Sequence, residues 1–186
     1  QQTFVLLDEW IPRKKTLTED EALGELAMRY FKSHGPATIC DFGWWSGLTK
    51  AQAITAFELI KSEFIYEGTP NRDQLVYAGD GSEEKLQRNV YLLPSYDEYL
   101  VGYKDRSVAF DPAMKQSGQN LIFSPIVVVN GTVQGTWKRT LEKNRVVLEV
   151  KPFTHFSKAE EALVKNEANR YSQFLGMSHP ASLLMC

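Results

Sequence analysis

Apolar residues recur along the chain with two different periods, a helical one in the first third and an alternating one in the second half. The helical spacing predicts three consecutive helices, up to Gly35-Pro36, over 37–46 and over 49–63. Capping-box pairs mark the starts of the first and third helices: Thr18 with Glu21, and Thr49 with Gln52. A tight turn at Ser46-Gly47 is predicted between the second and third helices.

Two strand-like runs follow the third helix, FIYEG at 64–68 and QLVYAG at 74–79, on either side of the turn-forming TPNRD. Three helices followed by a β-hairpin are the order of elements in a winged helix. We therefore predict a winged helix over residues 17–80. Residues 1–16, which combine the strand-like FVLLDEW with the basic IPRKK, are predicted to form a connector.

The second half has the pattern of an antiparallel sheet. YLLPSYDEYLVGYKDRS predicts a strand, a turn and a short helix, and three further strand-like runs lie between residues 121 and 153. Asn130-Gly131 is a type I′ turn signal between the first two of these runs. Ser157 with Glu160 caps a last helix that Gly176 ends. The fold class is therefore α+β, with a β-rich unit and C-terminal helix over 90–176 and a tail over 177–186.

Two adjacent tryptophans, Trp44 and Trp45, precede the predicted turn at the end of the second helix. Exposed aromatic side chains stack on nucleic-acid bases, whereas buried ones fill a small core efficiently. Helix neighbours differ in direction by ~100°, so at least one of the two lies near the edge of a bundle. We interpret both as part of the packed interior of the three-helix unit.

The balance of 21 basic against 23 acidic residues gives a net charge of -2, so no global field attracts a polyanion. Any contact with nucleic acid therefore requires a local basic patch. The best candidate is the hairpin tip WKRTLEKNR, because basic side chains beside an aromatic can grip a DNA backbone. Its candidate contacts are Trp137, Lys138, Arg139, Lys143 and Arg145, with Lys14, Lys15, Lys50 and Arg72 as further candidates.

The sequence lacks the residue patterns of metal sites, disulfides and catalytic triads. Cys40 and Cys186 lack metal spacing and are expected to be reduced, and no histidine has a partner at ligand or triad spacing. We predict no catalytic residue, no metal and no cofactor. No run approaches ~20 apolar residues and the amino terminus lacks the pattern of a signal peptide, so a cytoplasmic protein without a membrane segment is expected. The chain starts with Gln in an extended segment, which suggests part of a longer polypeptide.

Four segments resemble the bacterial winged-helix DNA-binding domain family whose characterised members are DNA glycosylases for alkylated bases and interstrand cross-links. The resemblance covers residues 6–176 in the same order. Its segments are RYFKSHGPATICDFGWWSGLTKAQA, LLPSYDEYLVGYKDRS, VVNGTVQGTWKRT and RYSQFLG. It implies tandem winged helices followed by a β-rich carboxy-terminal part.

The family's catalytic signature is a Gln-apolar-Gln or Gln-apolar-Asp triplet in its amino-terminal portion. No glutamine of this chain has the required partner two places on, so no catalytic residue is carried over. Three functions stay open: a module that clamps double-stranded DNA mainly by phosphate contacts; a fragment of a base-excision glycosylase whose catalytic residues and further winged helices lie upstream; and a protein–protein interaction module on a winged-helix scaffold.

Overall fold

The computed structural model describes residues 3–11, 16–68, 74–79, 89–112 and 118–186. The chain forms two compact units. The first extends to residue 80 but excludes residues 44–46, which group with the second unit together with everything from residue 81 onwards. Each unit is therefore described by itself.

The first unit contains the three helices that the apolar spacing predicts, except for the last three residues of α3, and one turn of helix precedes them. The helices are α1 (Leu7–Trp10), α2 (Glu19–His34), α3 (Ile39–Ser46) and α4 (Lys50–Ile60). Thr18, Thr38 and Thr49 each close a capping box at the start of α2, α3 and α4. The strand expected from FVLLDEW was wrong, because residues 10 and 11 donate backbone hydrogen bonds four positions back and form α1 instead.

The core of the first unit lies mainly between α2 and α4. Phe31 is fully buried at its centre, with the rings of Phe42, Phe57 and Phe64 between 5.6 and 5.9 Å from its own. The other buried positions include Leu23, Ala27, Tyr30, Ala53, Ala56 and Ile60. Ile54 is 42% exposed, because it lies about 100° around α4 from the buried Ala53.

A two-stranded hairpin follows α4, with antiparallel strands β1 (Ile65–Glu67) and β2 (Leu75–Tyr77). Val76 of β2 also exchanges two backbone hydrogen bonds with Ala37, of 2.8 and 3.1 Å. The segment between α2 and α3 therefore adds one antiparallel β-bridge to the hairpin. Residues 69–73, which the sequence predicts to form the turn, lie outside the described part of the chain.

The second unit is built on a five-stranded sheet in the order β3-β4-β5-β6-β7. The strands are β3 (Val90–Leu93), β4 (Ile126–Val129), β5 (Thr132–Leu141), β6 (Val146–Pro152) and β7 (Ser182–Met185). The first four are antiparallel, as expected, but β7 runs parallel to β6. Residues 177–186, expected to form a tail, thus supply an edge strand, because a helical crossover returns the chain in the direction of β6.

Both faces of the sheet are covered at β4, whose four residues are all buried. On one face α6 (Lys158–Phe174), which starts at the predicted Ser157 capping box, packs Val164 and Ala168 against the sheet. On the other face α5 (Glu98–Val101) contributes Leu100. Phe174, the last residue of α6, is 83% exposed. A continuous apolar strand such as IVVV is typical of this two-sided burial.

The predicted turn at Asn130-Gly131 is confirmed by positive φ angles of 49° and 78°, which join β4 to β5 in two residues. Tyr99 of α5 anchors this turn, since its hydroxyl donates a hydrogen bond of 2.5 Å to the carbonyl oxygen of Gly131. Burial raises the pKa of the Tyr99 phenol above its ordinary value of 10.0, because the phenolate is poorly solvated there.

This pKa shift predicts a loss of stability in alkali. A group with a raised folded-state pKa stabilises the fold fully below the unfolded pKa, and that contribution disappears as the pH rises through the folded pKa. We expect the fall in Tm between about pH 9 and about pH 11 to be smaller in Tyr99→Phe than in the wild type. Tyr91→Phe, at an exposed tyrosine of β3, is the matched control. An unchanged pH dependence in Tyr99→Phe would contradict the assignment.

Candidate nucleic-acid interface

The candidate basic patch lies where β5 and β6 continue past β4. The last residue pair between β4 and β5 is Ile126 with Thr136, whereas β5 stays paired with β6 up to Leu141 and Val146. Among the described residues, no strand pairs with the outer edge of β5 beyond this point. Glu142 and Arg145 close the turn through a backbone hydrogen bond of 2.9 Å. We name this two-stranded extension, residues 137–150, the distal hairpin.

The basic side chains of the distal hairpin are distributed over its two faces. Successive residues of a strand point to opposite sides, so Lys138 and Arg139 diverge. Lys138 is paired across the strands with Glu149, and Arg139 with the buried Leu148 on the face that α6 covers. Lys143 is exposed in the turn itself. The hairpin therefore presents cations on both faces and at its end.

Trp137 does not belong to this exposed surface. Its side chain is only 6% exposed and lies in the core between the sheet and α6, where its Nε1 donates a hydrogen bond of 2.9 Å to the carbonyl oxygen of Leu93. The expectation that Trp137 contacts DNA was wrong for this reason. Its inward direction follows from the alternation in β5, where Val133, Gly135 and Trp137 are buried and their neighbours are not.

Arg145 is paired within the hairpin. Its Nε lies 2.5 Å from Oε2 of Glu142, and this hydrogen bond and charge raise the pKa of Arg145 above its ordinary value. The two side chains remain 50% and 43% exposed, so the pair is solvated. With Glu142 and Glu149 against four basic side chains, the distal hairpin has a local net charge of +2 in a chain whose net charge is -2.

Arg139 has a different kind of partner, which the sequence did not indicate. Its Nη1 donates to the hydroxyl of Tyr171 on α6, and its Cζ lies 5.9 Å from the centroid of that ring. The two residues are 32 positions apart, so only the packing of α6 against the sheet brings them together. Arg139 itself stays exposed.

The remaining candidate cations are not brought to this surface by any described contact. Lys50 is exposed at the first residue of α4, in the other unit. Lys14, Lys15 and Arg72 lie outside the described residues. The exposed face of α4 includes Ile54, Leu59 and Glu58, a set with few groups for reading bases, and the carboxylate of Glu58 is paired with Lys61.

The tryptophans before the turn are not in the interior of the three-helix unit, which corrects the expectation. Trp44 is 54% exposed, with the guanidinium of Arg106 5.7 Å from its ring centroid. Trp45 is half-buried and donates from Nε1 to Oε2 of Glu98 at 3.2 Å. Both belong to the second unit. Helix direction explains the outcome, because the inward position of α3 is taken by Phe42.

The acidic segment beside these tryptophans has local structural roles. Asp97 caps α5 by accepting from the backbone N–H of Tyr99 at 2.9 Å, and Asp105 accepts from that of Ser107 at 2.8 Å. Within the described ranges, no three His, Cys, Asp or Glu side chains converge as a metal site. Among the helices that the structure describes, none is both long and apolar enough to cross a bilayer.

Comparisons with known proteins identify the family of this chain. The family model described as AlkZ-like DNA glycosylase matches residues 1–174. The chain belongs to the AlkZ-like family. A comparison with curated proteins found no match.

A solved structure shows the same fold as this AlkZ-like chain. The DNA glycosylase AlkZ from Streptomyces sahachiroi aligns with a TM-score of 0.72 and 23% sequence identity, over 93% of this chain and 48% of that one. This likeness confirms the mixed α and β architecture with antiparallel strands and a helix near the carboxy terminus. The chain thus spans about half the length of the solved AlkZ.

Proposed function

We propose that this chain binds double-stranded DNA in an AlkZ-like glycosylase, and that the distal hairpin contacts the phosphate backbone. The family supports DNA as the partner class. The observation that supports the location most is the local charge of +2 on a ribbon that continues past β4. A two-stranded ribbon fits the major groove, and cations on both of its faces would approach both phosphate walls.

We also propose that the first unit is a winged helix that serves mainly as a scaffold. The assignment is supported by the order of three helices followed by a hairpin, and by the β-bridge between Ala37 and Val76. The composition of the exposed α4 face argues against base reading by that helix. Binding by this chain is therefore proposed to depend on phosphates rather than on sequence.

Base excision is a property of the longer glycosylase named above, and we assign no catalytic residue to this chain. Hydrolysis of a glycosidic bond requires a positioned water and a polarising group beside an extruded base. Without the glutamine triplet, the role proposed for these residues is to hold the duplex, with any excision left to residues beyond this chain.

Titration of a fluorescent duplex by anisotropy tests the proposal. For about three phosphate contacts, the affinity is expected to fall roughly 40-fold between about 50 mM and about 200 mM salt, because each contact releases condensed counterions. Absence of binding at the lower salt concentration would contradict it.

A second candidate is a protein-binding module, which the exposed apolar side chains of the first unit favour. Ile54, Leu59, Ile65, Tyr66 and Leu75 are each between 38% and 49% exposed. This alternative predicts association that is insensitive to salt and to the paired substitutions Lys138→Ala and Arg139→Ala. The same titration separates the two, since a protein-binding module has no reason to bind the duplex at low salt.

A further inference from the structure

Arg139 is held differently from three of the other four described arginines, whereas Arg106 also lies against an aromatic ring, that of Trp44. Arg29, Arg145 and Arg170 each lie within ion-pair distance of a glutamate three or four positions away. Arg139 instead has the hydroxyl and ring of Tyr171, and among the described residues no carboxylate pairs with it. A neutral phenol orients a guanidinium without cancelling its charge.

Tyr171 packs against the core of the second unit on the side of Trp137. The ring of Trp137 meets it edge to face, with centroids 5.6 Å apart and planes at 72°. Trp137 is buried and is fixed by its hydrogen bond to the carbonyl oxygen of Leu93. Three contacts therefore connect the β3 backbone, through Trp137 and Tyr171, to the guanidinium of Arg139.

The exposed end of this series of contacts suits an anionic oxygen. A guanidinium has five N–H donors in a planar fork that matches phosphate, and the bond to Tyr171 uses Nη1. An arginine that is already oriented loses less conformational entropy when it binds than a free one does. Lys143, in the turn of the same hairpin, has no such support among the described contacts.

We propose that Tyr171 is a positioning residue that presents Arg139 to a phosphate of duplex DNA. This inference rests on the DNA-binding function proposed above. The proposal gives α6 a part in shaping the interface through Tyr171, which is not itself a basic residue.

Anisotropy titrations over a range of salt concentrations test the proposal, with the same fluorescent duplex and four variants. Arg139→Ala is expected to weaken binding about fivefold and to lower the salt slope by about 1. Tyr171→Phe keeps the ring and removes the hydroxyl, so we expect about threefold weaker binding. Adding Tyr171→Phe to Arg139→Ala is expected to have no further effect. Arg170→Ala, at the neighbouring glutamate-paired arginine, is the control and should change binding by less than about twofold.

The outcomes separate this inference from the proposed function. If the wild-type chain does not bind the duplex at low salt, both the positioning role of Tyr171 and the proposed DNA binding are wrong. If the wild type binds but Tyr171→Phe matches it while Arg139→Ala is weaker, the positioning role is wrong and DNA binding stands. An additive loss in the double variant, or no loss in Arg139→Ala, also overturns the positioning role. Equal Tm values for wild type and Tyr171→Phe exclude a general effect on folding.

Discussion

Replacing Lys138, Arg139 and Lys143 together with alanine is expected to lower the affinity for duplex DNA roughly 100-fold at about 50 mM salt. Each of these solvated side chains is expected to contribute about 1 kcal/mol through a charge-assisted contact with phosphate. The slope of log affinity against log salt should fall by about 3. All three side chains are exposed, so the fold should tolerate their removal.

The matched control removes the same charge elsewhere in the same unit. Lys158, Lys165 and Arg170 are exposed on α6, and replacing them with alanine makes an equal change in net charge. We expect this variant to bind within about threefold of the wild type, because non-contacting charges are screened beyond about 10 Å. Equal losses in both triple variants would mean that net charge, and not the distal hairpin, governs binding.

Trp137→Ala is expected to lower the free energy of unfolding of the second unit by about 3–5 kcal/mol, the usual cost of removing a large buried aromatic side chain. The substitution leaves a cavity against α6 and removes the donor to the carbonyl oxygen of Leu93. Hydrogen exchange of the β4 and β6 amides in increasing urea measures this unit separately from the first.

Phe174→Ala is the control for Trp137→Ala. Phe174 lies on α6 of the same unit but is 83% exposed, so its removal should change the unfolding free energy by less than about 0.5 kcal/mol. A comparable small loss in Trp137→Ala would contradict the burial of Trp137 and return it to the set of candidate DNA contacts.

The parts of the fold that the sequence predicted are those specified by neighbouring residues. A capping box joins two residues three positions apart, so Thr18, Thr49 and Ser157 each marked a helix start correctly. Asn130-Gly131 marked its turn for the same reason, since left-handed backbone angles are a local property. The four strands β3 to β6 correspond to strand-like runs that the sequence predicted.

The parts that the sequence did not predict depend on residues far apart in the chain. The parallel pairing of β7 with β6 requires the path of α6, and nothing within SLLM specifies it. The contact between Arg139 and Tyr171 has the same origin. Trp137 is a different case, because its position in the alternating pattern of β5 did indicate burial. It was included in the candidate site only because basic residues follow it in the sequence.

NMR chemical-shift mapping of the amides with an unmodified duplex tests whether duplex DNA binds at the distal hairpin. We predict that the largest shifts fall on residues 138–145, with smaller ones at Tyr171, and that added salt reverses them. Shifts concentrated on α4, or no shifts at a duplex concentration that saturates the anisotropy signal, would contradict it.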